Sequence, residues 1–527
     1  MSRRRGALAT GGHGSADYKS LNRAVRSAIR RDTCADVRRR IREDGRGGMW
    51  RAIRSTVDTG KSDRKLPDVT PDQLNDYFVS VGPRVAGEVR DMGQTCDVPC
   101  RLPRVGACAF QLAPLALSEL RAVVHGMNGS AACGEDGVSI LLVRLSFEAI
   151  GTVLLHLVNS SISLSEVPDS WKHSLVFPIH KSGDPSDPSN FRPISIVPVI
   201  AKIVERAVHQ QLYGYLSMNH LLSHIQQGFR PRHSTETALI TISDHILSAN
   251  DRGEISLLCL LDLSKCFNVI DHTKLLTKLQ LYGIDISWFS AYLRDHTQSL
   301  SFTDKLGNIQ KSASLSNGIG VFQSSALGPL LYCIFANDLS LYAEGADSAV
   351  IIQYADDTQI LISGKIAEFG VVLANMERTL ASLDAWFCAS GLKVNAGKTQ
   401  LMLLGSAQNL RQIPSFSVKF RDHQLAPVSE VKNLSLTFDR TLSWDNHVTA
   451  VTRHCVGTLI GLSHLRSYLP ISVISALVSA FVLSQIRYCV SVYGNGTQNT
   501  CPGCKKSLTM QQKLCSAAKS SIMYHIY

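Results

Sequence analysis

The chain has 527 residues, of which 45% are hydrophobic and 18% charged, and its net charge is +11. That length predicts about three or four domains, and the composition excludes a largely disordered protein. The charge is concentrated at one end, because residues 1–54 carry 15 Lys and Arg against 5 Asp and Glu. The remainder has a net charge of only +1, which excludes a basic surface spread over the whole protein.

No secretory signal or membrane-spanning segment is expected from the sequence. The N terminus is basic but is followed by no apolar run, and the longest apolar stretch, residues 476–492, is interrupted by polar side chains. The 14 cysteines are scattered along the chain, which favours reduced thiols. We therefore expect an intracellular protein without membrane association, in the nucleus or the cytoplasm.

Residues 1–65 are predicted to form a basic helical segment, and residues 66–164 a linker with an upstream helical region. Apolar residues such as Leu21, Val25 and Ile29 recur at helical spacing between arginines. The arginine-rich face would either contact nucleic acid or simply be solvated, and the pattern alone leaves both open.

Residues 165–405 alternate short apolar runs with helical patterns. The run Ile255–Leu261 has the length of a buried strand, and residues 265–283 are predicted to follow it as a helix. Two further strand-like runs, residues 350–353 and 358–362, are separated by a short turn and predict a hairpin. Strands interspersed with helices, with at least one antiparallel pair, indicate an α+β fold.

Three carboxylates are placed where they could perform chemistry. Asp262 ends the buried strand, and Asp356 and Asp357 lie at the tip of the predicted hairpin. Buried or adjacent carboxylates are costly without a cation, and no Lys or Arg is near the pair in sequence. Hard divalent ions such as Mg²⁺ bind carboxylates of this kind and support phosphoryl transfer. An ordinary polar turn is the alternative for the Asp-Asp pair alone.

An ordered series of short motifs makes the chemistry more specific. The Asp pair belongs to Tyr354-Ala-Asp-Asp357, a motif of polymerases. In chain order the others are Lys181-Ser-Gly-Asp-Pro, Asn190-Phe-Arg-Pro-Ile194, Gln227-Gly-Phe-Arg230, Leu261-Asp-Leu-Ser-Lys-Cys-Phe267, Leu327-Gly-Pro-Leu-Leu331 and Gly391-Leu-Lys-Val-Asn-Ala-Gly-Lys-Thr399. Together they resemble the reverse transcriptase of non-LTR (LINE-like) retrotransposons.

The resemblance implies a right-hand polymerase with fingers, a palm built on an antiparallel sheet, and a partial helical thumb. Fingers and palm would occupy residues 165–405. Residues 406–527 would hold a primer-grip-like hairpin, near residues 431–436, and thumb helices, near residues 472–485. The implied activity is RNA-directed DNA polymerisation, with an RNA template, a DNA primer and deoxynucleoside triphosphates as partners.

The resemblance also assigns catalytic roles. Asp262, Asp356 and Asp357 would bind two Mg²⁺ ions, for which Mn²⁺ could substitute. Lys398 matches a lysine proposed to protonate the pyrophosphate leaving group, a role that requires an ammonium near the phosphates. An exposed lysine without a catalytic role is the alternative reading of that position.

Five further residues match positions that contact nucleotide or template. Lys181 and Arg192 would neutralise the triphosphate, and Gln323 would pack beside the incoming nucleotide. Phe267 would lie under the sugar and exclude a ribose 2′-hydroxyl, while Arg230 would contact the template. The alternatives are a helix core residue for Phe267 and solvated cations for the three basic residues.

Several positions depart from the family pattern. Phe322 and Ser324 flank Gln323 where the family usually has Pro and Gly, and glycine permits backbone angles that serine resists. Asn268 replaces a common Asp, and Ser435 replaces the usual glycine of the primer hairpin. A catalytically silent, decayed nucleic-acid-binding remnant is therefore the alternative function. An RNA-directed RNA polymerase, the third hypothesis, is disfavoured by the aromatic at position 267.

Two expectations concern the ends of the chain. Related elements usually carry an endonuclease ahead of the polymerase, and this chain has no room for one, so we expect that it does not nick DNA by itself. Cys501 and Cys504, with Cys515 and His525, could suggest zinc, but their spacing is irregular and does not favour it.

Overall fold

The computed structural model describes residues 67–91, 109–263, 265–304, 307–322, 324–343, 349–465 and 469–494, with shorter pieces between residues 20 and 43 and residues 102 and 105. The chain divides into two compact units, residues 65–434 and residues 435–527 with 1–64. Helix and antiparallel sheet are mixed along the larger unit. This confirms the predicted α+β class.

Helices make up most of the larger unit. They span Pro71–Asp91, Leu117–Gly126, Ile140–Leu145, Phe147–Leu164, Asp169–Lys172, Val199–Met218, Thr235–Asp251, His272–Leu281, Ser287–Leu293, Gly328–Phe335, Ser340–Ala343, Phe369–Ala389 and Ala407–Leu410. Single 3₁₀ turns occur at Pro188–Asn190, Cys266–Asn268, Asn337–Leu339 and Ile366–Glu368.

The first sheet lies in the region predicted to form the fingers. Its strands are β1 (His173–His180), β2 (Phe191–Ile196), β4 (Thr297–Thr303), β5 (Ile309–Lys311) and β6 (Leu315–Ser316), in the order β2-β1-β4-β5 with β6 also paired to β4. β1 runs antiparallel to β2 and parallel to β4. The hairpin formed by β1 and β2 carries Lys181 in its loop and Arg192 in β2, the two residues predicted to neutralise the triphosphate.

The second sheet lies in the region predicted to form the palm. It contains β3 (Ile255–Leu261), β7 (Ala349–Tyr354), β8 (Asp357–Gly364) and β9 (Gln400–Leu404), all antiparallel, in the order β7-β8-β3-β9. β3 is central and almost wholly buried, which explains its unbroken apolar sequence. The helices Thr235–Asp251 and Phe369–Ala389 pack on this sheet, so it forms a rigid base for its edge.

Three short strands complete the larger unit's C-terminal part. β10 (Val418–Phe420) and β11 (His423–Leu425) form a small antiparallel pair, and β12 (Glu430–Asn433) follows. Asn433 donates a side-chain hydrogen bond of 2.7 Å to the Gln359 amide oxygen in β8. This contact fastens the predicted primer-grip segment to the palm sheet.

The smaller unit is mainly helical where it is described. It contains β13 (Leu436–Asp439) and the helices Asp445–Leu465, Ile471–Val478, Ser484–Arg487 and Val490–Tyr493, with a π-helical turn at Ser479–Leu483. Its own small core includes Cys455, Val473, Leu477 and Val482. Helices therefore occur where the thumb was predicted.

Residues 20–29 are helical, as the apolar spacing predicts. Val25 is buried there, while Arg23 and Arg26 are exposed. Val37 and Ile41, which extend the same pattern, lie outside the described residues. The four residues considered for zinc, between residues 501 and 525, also lie outside them.

The helix predicted for residues 265–283 is shorter than expected. Cys266–Asn268 form only a 3₁₀ turn, and the α-helix begins at His272. Lys265 has a φ of 53°, which interrupts a right-handed helix. Asp271 then caps the next helix, since its carboxylate accepts two backbone N–H bonds of the first turn. Apolar spacing predicted the helical face but could not reveal this interruption.

One described helix, Phe147–Leu164, is long and apolar enough to cross a membrane, with a mean hydropathy of 1.3. The expectation that no segment spans a membrane was based on uninterrupted apolar runs, and it therefore did not identify this helix. Phe147, Leu154, Val158 and Ile162 of this helix pack into the main core, whereas Val153 is exposed. Core helices commonly have this composition.

Candidate active site

The sheet register brings the three predicted carboxylates to one edge of the palm. Leu261 of β3 pairs with Thr358 of β8, and Tyr354 pairs with Asp357 across the hairpin. Asp262 therefore leaves β3 beside Asp357, and Asp356 lies at the hairpin turn. Residues separated by more than ninety positions in the chain share one site because three antiparallel strands end together.

The carboxylates disturb one another electrostatically. Loss of hydration, followed by the charges of Asp356 and Asp262, raises the pKa of Asp357 to about 6. Burial is also the main cause that raises the pKa of Asp356, and Asp262 adds to it. The Cys266 thiol and the Arg192 guanidinium act in the opposite direction on Asp356. Without a bound cation, this edge thus carries more negative charge than its surroundings favour.

The donor set fits a hard divalent ion held in an open site. In the part of the chain that the structure describes, no group of three or more His, Cys, Asp or Glu side chains is arranged to hold a metal ion. Mg²⁺ commonly takes only one or two carboxylates and completes its shell with water and substrate phosphates. Asp262 and Asp356 offer oxygen ligands of that kind, and their mutual repulsion would be relieved by a cation.

Lys398 reaches the same edge from a different segment. The backbone N–H of Asn395 donates to the Asp262 carbonyl at 2.8 Å, which holds the 392–399 loop beside β3. The Lys398 ammonium lies 3.7 Å from the Asp262 carboxylate and is largely exposed. It is therefore available to a ligand bound at the carboxylates, as its predicted role requires.

An open cleft of about 450 Å³ adjoins this edge. Asp262, Asp357 and Lys398 line it together with Lys432 and Asn433 of the predicted primer-grip segment. A cleft lined by both carboxylates and lysines can accommodate a phosphate backbone that approaches bound cations.

Phe267 lies next to the carboxylates in a stack of aromatic rings. Its ring stacks on buried Tyr332 at 4.9 Å between centroids and meets exposed Phe229 edge-on at 5.9 Å. Phe267 itself is only partly buried, so one part of the ring remains accessible. The ring contacts are those of a core residue, and the accessible part of the ring could contact a sugar. The arrangement is therefore compatible with both roles considered from the sequence.

The two predicted triphosphate residues lie near each other on the β1–β2 hairpin. Arg192 is exposed in β2, opposite Ile179 of β1, and the backbone N–H of Lys181 donates to the Asn190 carbonyl at 2.8 Å. Partial burial, followed by the charges of Arg192, Lys265 and Lys398, lowers the pKa of Lys181. These cations thus face a common space.

Gln323 lies outside the described residues, whereas its neighbours Phe322 and Ser324 are described. The Val321 N–H donates to the Phe267 carbonyl at 2.8 Å, which joins this segment to the residue predicted to lie under the sugar. Phe322 is buried against His296, with ring centroids 4.4 Å apart. Ser324 has a φ of 89°, a conformation that favours glycine. The departure noticed in the sequence therefore falls on a strained backbone position.

Arg230 has a structural position in the described loop. Its guanidinium donates to the Ser223 carbonyl at 2.6 Å and to the Gln226 carbonyl at 3.2 Å. The Gln226 side chain in turn accepts from the Ala355 N–H at 3.1 Å, so this loop braces the hairpin turn. The exposed side chain of the motif is Phe229, and the template contact of Arg230 remains a prediction.

Two supporting residues were not found from the sequence. Cys266 is buried, and its thiol hydrogen-bonds to Asp356. Glu205 is buried in the Val199–Met218 helix and accepts from the Tyr292 hydroxyl at 2.8 Å and the Ala326 N–H at 2.7 Å. The sequence signal for Cys266 was its place inside a recognised motif. For Glu205 the only signal was the energetic cost of burying a single charged residue in an apolar helix.

The antiparallel sheet, its carboxylate edge and the adjoining aromatic and basic residues define a polymerase palm. Residues 179–438 match the family model described as reverse transcriptase (RNA-dependent DNA polymerase). Residues 179–438 therefore form a reverse transcriptase domain. The family uses divalent metal ions, in agreement with the oxygen donors at the carboxylate edge.

Similar proteins come from mobile elements. The chain is 26% identical, over 65% of its length, to the RNA-directed DNA polymerase from mobile element jockey of Drosophila melanogaster. It is 27% identical, over 66% of its length, to the probable RNA-directed DNA polymerase from transposon BS of the same species. A polyprotein of the R2 retrotransposable element of Popillia japonica is 24% identical over 54% of the chain. The chain spans 37%, 38% and 39% of these relatives, respectively.

Proposed function

We propose that this protein is an RNA-directed DNA polymerase that extends a DNA primer on an RNA template. The observation that carries the proposal is the convergence of Asp262, Asp356 and Asp357 at one palm edge, beside the aromatic Phe267. Its substrates would be deoxynucleoside triphosphates. The similarity to polymerases of non-LTR elements supports this substrate class.

In the proposed reaction, the primer 3′-hydroxyl attacks the α-phosphate of the nucleotide and pyrophosphate leaves. Two bound Mg²⁺ ions, or Mn²⁺ in their place, would activate the attacking oxygen and stabilise the leaving oxygen. Asp262 and Asp356 would hold these ions, with Asp357 supporting them. Lys398 would bind the leaving phosphate and donate a proton to it. Lys181 and Arg192 would neutralise the triphosphate.

Primer extension tests the proposal directly. Purified protein with Mg²⁺ and deoxynucleotides should lengthen a DNA primer annealed to RNA, and Asp356→Ala should abolish extension because a cation ligand is lost. Asp244→Ala is a matched control, since Asp244 is exposed on the Thr235–Asp251 helix. Equal extension by the wild type and Asp356→Ala would contradict the assignment.

A silent nucleic-acid-binding remnant is the second candidate. The φ of 89° at Ser324 favours it, because strain beside Gln323 would disturb the nucleotide pocket. Such a protein would bind an RNA–DNA hybrid without extending it. The intact carboxylate edge argues for the polymerase.

A further inference from the structure

The Pro71–Asp91 helix lies outside residues 179–438, which match the reverse transcriptase family, and it packs against the first sheet, which carries Arg192 in β2. Tyr77 of this helix accepts a hydrogen bond of 2.6 Å from the Lys265 ammonium. The same ammonium lies 4.5 Å from the centre of the Tyr77 ring, a cation–π distance. The upstream helix therefore holds a cation within the Asp262-to-Phe267 motif.

The helix is fixed on both sides of this contact. Asn75 is fully buried and exchanges hydrogen bonds with Gln298 in β4. At Gly82 an added Cβ would lie only 2.6 Å from the Asn268 carbonyl oxygen. Further along, Glu88 pairs with Lys393 at 2.7 Å. The Tyr77 hydroxyl is thus placed by a docked helix rather than by a flexible side chain alone.

The position of Lys265 points to phosphate. It lies three residues after Asp262, which is proposed to hold the metal ion, and two residues before Phe267, which is proposed to lie under the sugar. The positive charge of Lys265 contributes to lowering the pKa of Lys181 and the pKa of Asp187 in the β1–β2 loop. Several cations gathered in one space repel each other unless an anion lies between them.

Its contacts leave Lys265 able to bind such an anion. No carboxylate of the described chain lies within ion-pair distance of its ammonium, and a neutral Tyr hydroxyl satisfies only one of three N–H donors. The backbone φ of 53° at Lys265 keeps the residue out of the helix that begins at His272.

We infer that Lys265 binds the triphosphate of the incoming nucleotide and that Tyr77, from the helix upstream of the family domain, is its positioning residue. This inference rests on the proposed polymerase function. It makes the Pro71–Asp91 helix a part of the nucleotide site.

Steady-state kinetics with dTTP on a poly(rA) template and oligo(dT) primer test the assignment. Lys265→Met should raise the KM for dTTP about tenfold, because a charge-assisted hydrogen bond is lost, with a smaller change in kcat. Lys265→Arg should restore most of the affinity. Tyr77→Phe keeps the ring but removes the hydroxyl and should raise the KM about threefold. Gly87→Ala in the same helix, where an added Cβ would meet no atom within 4 Å, is the control.

The double variant separates positioning from simple stability. Tyr77→Phe should have no further effect on KM in the Lys265→Met background, because the group that it positions is gone. Independent, multiplying effects, or a KM for dTTP unchanged by Lys265→Met, would overturn the inference.

Calorimetric binding of dTTP with Mg²⁺, measured without primer, keeps the test separate from catalysis. If the wild type does not extend primers, the proposed function fails, yet weaker dTTP binding by Lys265→Met would still support the inference. Equal binding by the wild type and this variant, or none by either, would overturn it.

Discussion

Two regions lower the stability of the fold, the carboxylate hairpin and the loop of residues 320–327, but they do so for different physical reasons. At the hairpin, Asp356 and Asp357 are crowded with like charge, which a bound cation relieves. In the loop, the cost lies in the backbone of Ser324 and in the burial of the neighbouring His296. A ligand can relieve the first cost, whereas only a change of residue relieves the second. Substitutions that depart from the family motif should therefore have their largest effect in this loop.

The two regions should also respond to acid in opposite directions. The pKa of Asp357 is raised to about 6 from its ordinary value of 3.8, so its ionisation disfavours the metal-free fold above that range. The pKa of His296 is lowered from 6.5 to about 4, mainly by burial, so its protonation disfavours the fold at low pH. These opposite signs allow each region to be tested separately.

The largest effect should come from the hairpin charge. Asp356→Asn should reduce the extension rate about a thousandfold or more, since loss of a metal ligand costs several kcal/mol. The same change should raise the thermal midpoint of the metal-free protein, because it removes repulsion between the carboxylates. Extension and differential scanning fluorimetry measure the two outcomes. A lowered midpoint would show that charge crowding is not the dominant cost there.

The next effect concerns the buried histidine of the loop region. Because the folded pKa of His296 lies below its ordinary value, its stabilising contribution is complete above pH 6.5 and is lost as the pH falls toward about 4. The loss can reach about 3 kcal/mol. The urea midpoint of unfolding should therefore differ less between pH 7 and pH 5 in His296→Gln than it does in the wild type.

Exposed His245 supplies the control for that experiment. His245→Gln should leave the pH dependence of the unfolding midpoint as it is in the wild type. An identical pH dependence in His296→Gln would show that the buried ring does not contribute to acid sensitivity.

A smaller effect is expected at the aromatic ring between the two regions. Phe267→Val should weaken discrimination against ribonucleotides by about 10- to 100-fold, because a wall of the sugar pocket is shortened. The ratio of kcat/KM for dTTP and UTP on the same template measures it. An unchanged ratio would identify Phe267 as a core residue, and a wild-type preference for UTP would revive the RNA polymerase hypothesis.

The smallest effect should come from the strained serine. Ser324→Gly should raise stability by about 1 kcal/mol, because it relieves a left-handed serine, and should lower the KM for dTTP. Ser325→Gly is a sharp control with the opposite sign, since the Ser325 hydroxyl accepts from the Gly328 N–H at 2.7 Å at a helix start. Recovery of extension only in Ser324→Gly would support the silent-remnant hypothesis.

Local patterns predicted much of the palm. The apolar run Ile255–Leu261, the two strands around Asp356 and the α+β class are all present in the structure. The helix expected from residue 265 was wrong at its start, because a left-handed Lys265 and the Asp271 cap are local backbone choices that apolar spacing does not record. The metal, nucleotide and template roles of individual residues remain predictions.

The sequence by itself determined the family and the residue types of the site, because short ordered motifs encode strands, turns and carboxylates directly. Only the tertiary structure decided which distant groups meet. The pairing of Leu261 with Thr358 placed Asp262 beside the hairpin, and the docking of an upstream helix placed Tyr77 on Lys265. Such contacts depend on the register of strands and the packing of helices, and neither leaves a periodic signal in the chain.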